Sequence, residues 1–189
     1  PTSGKHRYHQ PRTLNQAATQ GGGASGRQND ARPSLMALVY SIDSSSLIHA
    51  WNRAYRPKNF PTFWENLEDL IAKGRLKASM EVLEELKKKD DDVYAWVKER
   101  KDLLFVDIDE PVQDAVVYLM GKHERLVDTV RGKSGGDPFV IALALASDPQ
   151  MVVVTEEDAG KVRIPDVCRA EGLECVRLAD FIEQEDWKM

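Results

Sequence analysis

The sequence of 189 residues predicts an α/β fold, a three-layer α/β/α arrangement around a five-stranded parallel sheet. Short apolar runs rich in β-forming residues alternate with longer segments whose apolar residues recur at helical spacing. Strands separated by helices in this way favour a parallel sheet with right-handed crossovers. Several runs are apolar on both faces, which is typical of strands that helices cover on both sides.

The composition indicates a folded domain rather than a membrane protein. The chain is 42% hydrophobic and 30% charged, as is typical of a soluble globular domain. No apolar run approaches the roughly 20 residues that span a bilayer, and no apolar segment marks a secretory signal. The two cysteines, Cys168 and Cys175, lack the spacing of a metal-binding knuckle and favour a reducing compartment. We therefore expect a cytoplasmic protein that does not act at a membrane.

Charge and composition divide the chain at residue 35. Residues 1–35 are rich in Gly, Gln, Asn, Ser, Thr and Pro and carry five basic side chains against one acidic one. They are predicted to be a disordered basic tail or sequence fused ahead of the domain. Residues 36–189 are predicted to be the folded domain. The net charge of the whole chain is −5, which does not indicate a general nucleic-acid-binding protein.

The domain begins with a strand, an acid and a helix. The apolar run 38–42 predicts a buried strand that ends at Asp43. Three serines follow and are good N-cap residues for a helix that extends to about Tyr55. Since ligands of open α/β sheets bind outside the carboxyl ends of the strands, Asp43 is placed where a site would form.

A second helix and a second strand follow. Pro61 fits the first turn of a helix whose apolar residues recur at i, i+1, i+4, i+7 and i+8, and Gly74 ends that helix. A brief strand is predicted at 76–79, and Ser79 is expected to cap the next helix. The next two helices are predicted over 80–89 and from the acids 90–92 onward.

The second half contains three further strands and a helix that is apolar all round. Asp137 and Pro138 open this helix, which runs to Ala146 and should therefore be buried. The strands are predicted over 103–106, 151–154 and 175–178. The other helices are predicted from 111 to about 130, from 164 to 170 and from 179 to 185.

Four positions place a carboxylate at the end of a predicted strand or in an early turn of a predicted helix. Taken alone, each acid also fits a capping or solvated residue. Together they could hold Mg²⁺ or Mn²⁺, which prefer oxygen ligands and activate a water for attack on a phosphodiester. The four positions are Asp43, one of Glu81, Glu84 and Glu85, Asp137, and one of Glu156, Glu157 and Asp158.

Helix geometry favours Glu85 within the second group. At about 100° per residue, Glu85 lies roughly 105° from the centre of the apolar face of the 80–89 helix, and Glu81 and Glu84 lie roughly 145–155° away. Glu85 is thus best placed to point along the sheet edge. The alternative is that all three are solvated. In the last group, the two neighbours of Glu157 are expected to be solvated turn residues.

These motifs resemble those of PIN domains. Their order and spacing are similar from about residue 37 to 183, most closely to a PIN-like family of uncharacterised bacterial and archaeal proteins. Two departures are the glutamate at 157, where aspartate is commoner, and the long region 90–130. The segments that carry the resemblance are Ile42-Asp43-Ser44-Ser45, Glu85-Leu86, Asp137-Pro138-Phe139 before an alanine-rich helix, and Val154-Thr155-Glu156-Glu157.

The resemblance implies a sheet of order 3-2-1-4-5 and a metal-dependent endoribonuclease, as in VapC-type toxins of toxin–antitoxin modules. RNA would be the substrate, and an antitoxin protein and a second copy of the chain would be partners. The resemblance implies Asp43, Glu85, Asp137 and Glu157 as catalytic residues and ligands of Mg²⁺ or Mn²⁺, with Ser45 and Thr155 as polar support.

Basic loop residues are candidates for contacts to RNA phosphates, although most such side chains are simply solvated. Arg53 and Lys133 lead this group, which also contains Arg56, Lys58 and Arg131.

Two other functions remain open. One is a phosphatase-type domain that uses Asp107 and Asp109, and the other is a catalytically inactive PIN-like module that binds RNA or protein. Replacing Asp43 by Asn separates the last from a nuclease, since only a nuclease loses its activity.

Overall fold

The computed structural model describes residues 37–88, 92–124, 126, 135–160 and 162–188. They form a five-stranded parallel sheet in the order β3-β2-β1-β4-β5, so the predicted α/β class and strand order are confirmed. In the central register, Tyr40 pairs with Leu76 on one side and with Val152 on the other. The strands are β1 Tyr40–Ile42, β2 Leu76–Ser79, β3 Phe105–Val106, β4 Val152–Val154 and β5 Cys175–Val176.

The helices begin with the signals that the sequence carries. Proline stands in the first turn of the helices that begin near residues 61, 110, 137 and 164, where the missing N–H is not needed. A π-helical turn, Ala50–Ala54, continues the first helix. Within the described residues the helices are α1 Ser44–His49, α2 Pro61–Ala72, α3 Met80–Lys87, α4 Asp92–Glu99, α5 Lys101–Leu104, α6 Glu110–Lys122, α7 Asp137–Ala146, α8 Ile164–Glu171 and α9 Leu178–Gln184.

All strands except β2 are shorter than predicted: β1 begins at Tyr40 and β4 at Val152, and β3 and β5 also lose residues. The predicted strand 103–106 is reduced to two residues because α5 occupies its start, and Leu103 is 55% exposed. A short apolar run does not distinguish strand from helix by its periodicity, which explains the error. The predicted strand 175–178 ends at Val176, since Leu178 already belongs to α9. There the Asp180 carboxylate accepts from the backbone N–H of Arg177 and stabilises the helix start.

Ser79 does not make the predicted capping bond. It precedes α3 with extended backbone, but its side chain does not cap the helix. Its buried hydroxyl has no hydrogen-bond partner among the described residues. The predicted helix from 111 to about 130 is described as helical to Lys122, and most of the positions that follow lie outside the described residues.

The core lies on both faces of the sheet. β1 and β4 are completely buried, and α7 is buried on most sides, as its apolar sequence predicted. α7 packs against α6, α8 and the strands β1, β2 and β4. In the described part of the chain, no helix is long and apolar enough to cross a membrane.

A polar cluster ties the last helix to the amino ends of the central strands. The Arg75 guanidinium donates to Glu185 Oε2 at 2.8 Å and to Oε1 at 2.5 Å, and the Tyr40 hydroxyl donates to Oε1 at 2.7 Å. The Glu185 side chain is only 8% exposed. Burial and the hydrogen bond to Glu185 raise the pKa of Tyr40 above its ordinary value. The cluster lies at the end of the sheet opposite to Asp43.

Candidate functional site

The candidate site lies where β1 and β4 end side by side. β1 lies between β2 and β4. The chain adds β2 and β3 on one side of β1 and then adds β4 and β5 on the other side, so the strand order reverses at β1. Crevices at such switch points are the usual ligand sites of open parallel sheets. Asp43 follows β1, and Thr155 follows β4.

Asp43 is held rigidly by hydroxyl and backbone donors. It is 4% exposed and is itself the N-cap of α1, a position that the sequence assigned to the serines after it. Its Oδ2 accepts from the Ser45 hydroxyl at 2.5 Å, from the Ser45 backbone N–H at 3.3 Å and from the Thr155 hydroxyl at 3.1 Å. Among the described residues, none donates to Oδ1. The capping and functional interpretations of Asp43 are therefore compatible, because the two roles use different oxygens.

Glu85 lies between the segment that contains Asp43 and the segment that contains Asp137, and it contacts both. Its Oε2 accepts from the Ser44 hydroxyl at 2.8 Å, and its Oε1 accepts from the Gly136 backbone N–H at 3.0 Å. Ser44 follows Asp43 in the chain, and Gly136 precedes Asp137. Glu85 thus contacts the immediate neighbours of both other acids. Glu84, in contrast, is half-exposed and pairs with Lys87 on the surface of α3.

The environment of Glu85 disfavours the ionised form of its carboxylate. Burial raises its pKa above the ordinary value, and the nearby Asp43 carboxylate raises it further. The hydrogen bonds from Ser44 and Gly136 oppose this and lower the pKa, but the net shift is upward. Two carboxylates that repel each other in a partly buried site are characteristic of functional sites.

Gly136 is needed for the position of Glu85. A Cβ atom at residue 136 would lie 2.4 Å from Glu85 Oε1, closer than side chains approach. The small size of Gly136 therefore serves the close approach of Glu85 to the backbone. The pair is separated by 51 residues, so no local sequence signal links them.

Asp137 is the first residue of α7, the helix that the sequence predicts to open at Asp137 and Pro138. Gly136 occupies the N-cap position and provides no side-chain cap. Asp137 is nevertheless buried, with 5% of its surface exposed. A buried carboxylate in the first turn of a buried helix is stabilised by the positive end of the helix dipole. Its backbone directly continues the Gly136 peptide that contacts Glu85.

Glu157 lies at the same edge, but its carboxylate is turned toward α8. Its Oε2 accepts from the backbone N–H of Ile164 at 3.3 Å, and its own N–H donates to the Thr155 hydroxyl at 3.2 Å. Cys175 lies near both Asp43 and Glu157, so these two acids belong to the same part of the sheet edge. The hydrogen bond from Cys168 lowers the pKa of Cys175, against burial and the carboxylates of Asp43 and Glu157, which raise it.

The neighbours of Glu157 are not both solvated turn residues. The Glu156 carboxylate is half-buried and accepts from the backbone N–H of Leu178 at 2.8 Å, at the start of α9. The prediction for Glu156 was wrong because its partner is 22 residues away in the sequence. Asp158 is exposed, as predicted, and pairs with Arg177.

The predicted substrate contacts fall into two groups. Ser45 and Thr155 contact Asp43, and the Ser45 hydroxyl also accepts from the Glu156 N–H at 3.1 Å. Arg53 is exposed on the π-helical turn. The neighbouring Tyr55 has a pKa above its ordinary value, raised by burial and by the nearby Glu156 carboxylate. Lys133 and Arg131 lie outside the described residues.

Asp109, proposed for a phosphatase-type site, has a structural partner. It is the N-cap of α6, and its Oδ1 accepts from the Val112 N–H at 3.0 Å. Asp107 is exposed. These two acids therefore stand at a helix start rather than in a crevice.

The donor set of the candidate site consists of carboxylate and hydroxyl oxygens. No group of three or more His, Cys, Asp or Glu side chains is placed to hold a metal ion together within the described residues. Mg²⁺, however, usually keeps several waters and is held by one or two carboxylates together with substrate phosphates. The chemistry of Asp43 and Glu85 fits that mode of binding.

The family model described as "Domain of unknown function (DUF4411)" matches residues 40–189. No curated protein matches the chain. Among solved structures, the chain is similar to the crystal structure of VapBC2 from Rickettsia felis bound to a DNA fragment from their promoter. The identity is 19% and the TM-score 0.48, over 74% of this chain and 98% of that chain. A likeness of this degree carries no information on activity.

Proposed function

The chain belongs to the DUF4411 family of domains of unknown function, and we propose that it is a metal-dependent endoribonuclease that hydrolyses RNA phosphodiester bonds. The observation that carries the proposal is the position of Glu85, whose carboxylate contacts Ser44 and Gly136, the chain neighbours of the buried acids Asp43 and Asp137. Gathering like charges in this way costs folding free energy, so a purely structural role would not explain it.

The acids would act as ligands and proton carriers. Asp43 and Glu85, supported by Asp137, would hold Mg²⁺ or Mn²⁺. When bound, the ion would polarise the scissile phosphate and lower the pKa of an attacking water. Ser45 and Thr155 fix Asp43 through Oδ2, which leaves Oδ1 as the ligand atom. A carboxylate of the cluster that does not ligate the ion would take up the proton of the attacking water.

Glu157 would join the site by a change of rotamer. Its carboxylate now caps α8 through Ile164. Glutamate has one more methylene than the aspartate that is commoner at this place, and a longer side chain can reach either the helix or the crevice. We therefore assign Glu157 to the site in the complex with metal and RNA.

We propose RNA as the substrate because of the resemblance to PIN domains. The same resemblance suggests that the protein is a toxin. Its partners would be an antitoxin protein and a second copy of the chain. Arg53 is exposed on the π-helical turn, where it could contact a phosphate. We propose that the protein acts in the cytoplasm.

A catalytically inactive module that binds RNA or protein is the second candidate. The observation in its favour is that the described residues contain no group of three metal-ligating side chains ready to bind an ion. Such a module would keep its binding partner when Asp43 is changed.

The test is cleavage of a mixed RNA pool by the purified protein with Mg²⁺ or Mn²⁺, and with EDTA. Asp43→Asn is compared with Asp107→Asn, which removes the same charge from an exposed acid outside the crevice. Asn retains an oxygen that can cap α1, so the variant should fold. Metal-dependent cleavage that is lost only in Asp43→Asn supports the nuclease. Cleavage that survives in Asp43→Asn, or folded protein that neither cuts RNA nor binds metal, would contradict the proposal.

A further inference from the structure

A pocket adjoins the acids on the side of β5. It has a volume of about 280 Å³ and opens at the carboxyl ends of β4 and β5. Its polar lining includes Thr155, Glu157 and Asp180, and its apolar lining includes Pro165, Cys175 and Val176.

The pocket shares a wall with the candidate site. Thr155 lines the pocket and donates its hydroxyl to Asp43 Oδ2 at 3.1 Å. Glu157 also lines the pocket, and both Asp43 and Glu157 lie near Cys175. A group bound in this pocket would therefore lie next to a phosphate held at Asp43.

The charge of the rim is unsuitable for a phosphate. Glu157 and Asp180 contribute two carboxylates, and the positive charge of Arg177 is offset by its ion pair with Asp158. Asp180 Oδ2 accepts from the Arg177 backbone N–H, whereas no described residue donates to its Oδ1. The rim thus offers acceptor oxygens, and the apolar residues offer a surface for a flat ring.

We propose that this pocket holds the base of a nucleotide next to the scissile phosphate and disfavours uracil, an inference that rests on the proposed nuclease function. Adenine, cytosine and guanine each carry an exocyclic amino group that can donate to a carboxylate, whereas uracil presents two carbonyl oxygens on either side of its single N–H. Facing Asp180, those carbonyl oxygens would meet a second acceptor. The volume lies near the lower limit of small-molecule pockets, which suits one base.

The test is the sequence profile of the cut sites that the full chain produces in a randomised RNA pool. Wild-type protein should show uracil depleted about threefold to tenfold at one position next to the cut, the difference expected for one hydrogen bond. Asp180→Asn keeps an oxygen for the Arg177 N–H and supplies an amide donor, so the depletion should disappear. Glu183→Gln removes one charge from an exposed position of the same helix and should leave the profile unchanged.

Cleavage with no depletion of uracil, or an identical profile in Asp180→Asn and wild type, would overturn the pocket assignment while the nuclease stands. If the wild type neither cuts RNA nor binds metal, the nuclease proposal fails. Whenever it cuts no RNA, nucleoside binding tests the pocket by NMR. Adenosine, cytidine and guanosine should shift the amide signals of Cys175 and Val176 in the wild type, and uridine should not. Absence of such shifts for every nucleoside would overturn the pocket assignment as well.

Discussion

The Gly136 backbone N–H donates to Glu85 Oε1 at 3.0 Å. Because Gly136 has no side chain, the Glu85 carboxylate can occupy the space where a Cβ atom would lie. The backbone at Gly136 has φ −80°, which any residue can adopt. Glycine is thus required here for space and not for its conformational freedom.

Gly136→Ala should therefore reduce activity strongly while the fold persists. The new methyl group would meet the flexible end of Glu85, which can move away without disturbing the backbone. A displacement of about 1 Å at a reacting group typically costs about a hundredfold in rate. Cleavage rate and thermal unfolding would be measured together. Gly135→Ala is the matched control, because its Cβ would meet nothing within 4 Å. Equal rates for the two variants would show that the position of Glu85 is unimportant.

Glu85→Gln should stabilise the protein at neutral pH and abolish activity. Because folding raises the pKa of Glu85, the ionised carboxylate costs stability, and this cost appears as the pH rises through the pKa of the folded state. The amide keeps an acceptor for Gly136, and the Ser44 hydroxyl can reverse its role. We expect the melting temperature of the variant to exceed that of the wild type by about 2 °C or more at pH 7. The difference should vanish below the ordinary pKa of 4.5, and a constant difference at every pH would contradict this explanation.

Mg²⁺ or Mn²⁺ should raise the melting temperature of the wild type in the absence of RNA. An ion at ten times its Kd that binds only the folded state stabilises it by about 1.4 kcal/mol, or about 3–6 °C for a domain of this size. Asp43→Asn and Glu85→Gln should lose the shift, and Asp107→Asn should keep it. A shift of equal size in all four proteins would place the ion elsewhere.

Glu185→Gln should destabilise the fold without changing the activity of the folded molecules. The Glu185 carboxylate accepts from Arg75 and Tyr40 in a buried position, and removing one partner of a buried pair costs about 3–5 kcal/mol. Urea unfolding measures the loss. The control is Asp69→Asn, whose ion pair with Lys73 is more than half exposed and should contribute less than about 1 kcal/mol. Similar losses of unfolding free energy in both variants would show that burial does not make the Arg75–Glu185 pair more stabilising than an exposed ion pair.

The sequence predicted the architecture well because its signals are local. Buried runs, prolines in first turns and an apolar helix predict the strands and helices, and the resemblance to PIN domains implies the strand order. Helix geometry also pointed to Glu85, and the structure places that side chain at the edge of the sheet.

The details that escaped prediction depend on partners that are distant in the sequence. Glu156 contacts Leu178, and Gly136 contacts Glu85, and neither pair leaves a periodic pattern. The predicted strand 103–106 included the last two residues of α5, because a helix of four residues is too short to reveal its period.

The loop after β4 imposes a constraint on the length of the chain in related proteins. Three consecutive residues, Thr155, Glu156 and Glu157, contact Asp43, the start of α9 and the start of α8, respectively. Substitution by another acceptor can preserve each contact, but one inserted or deleted residue would move all three at once. We therefore expect related proteins to tolerate substitutions in this loop but not insertions or deletions. An alignment of relatives would reveal this as a block of fixed length between two variable regions.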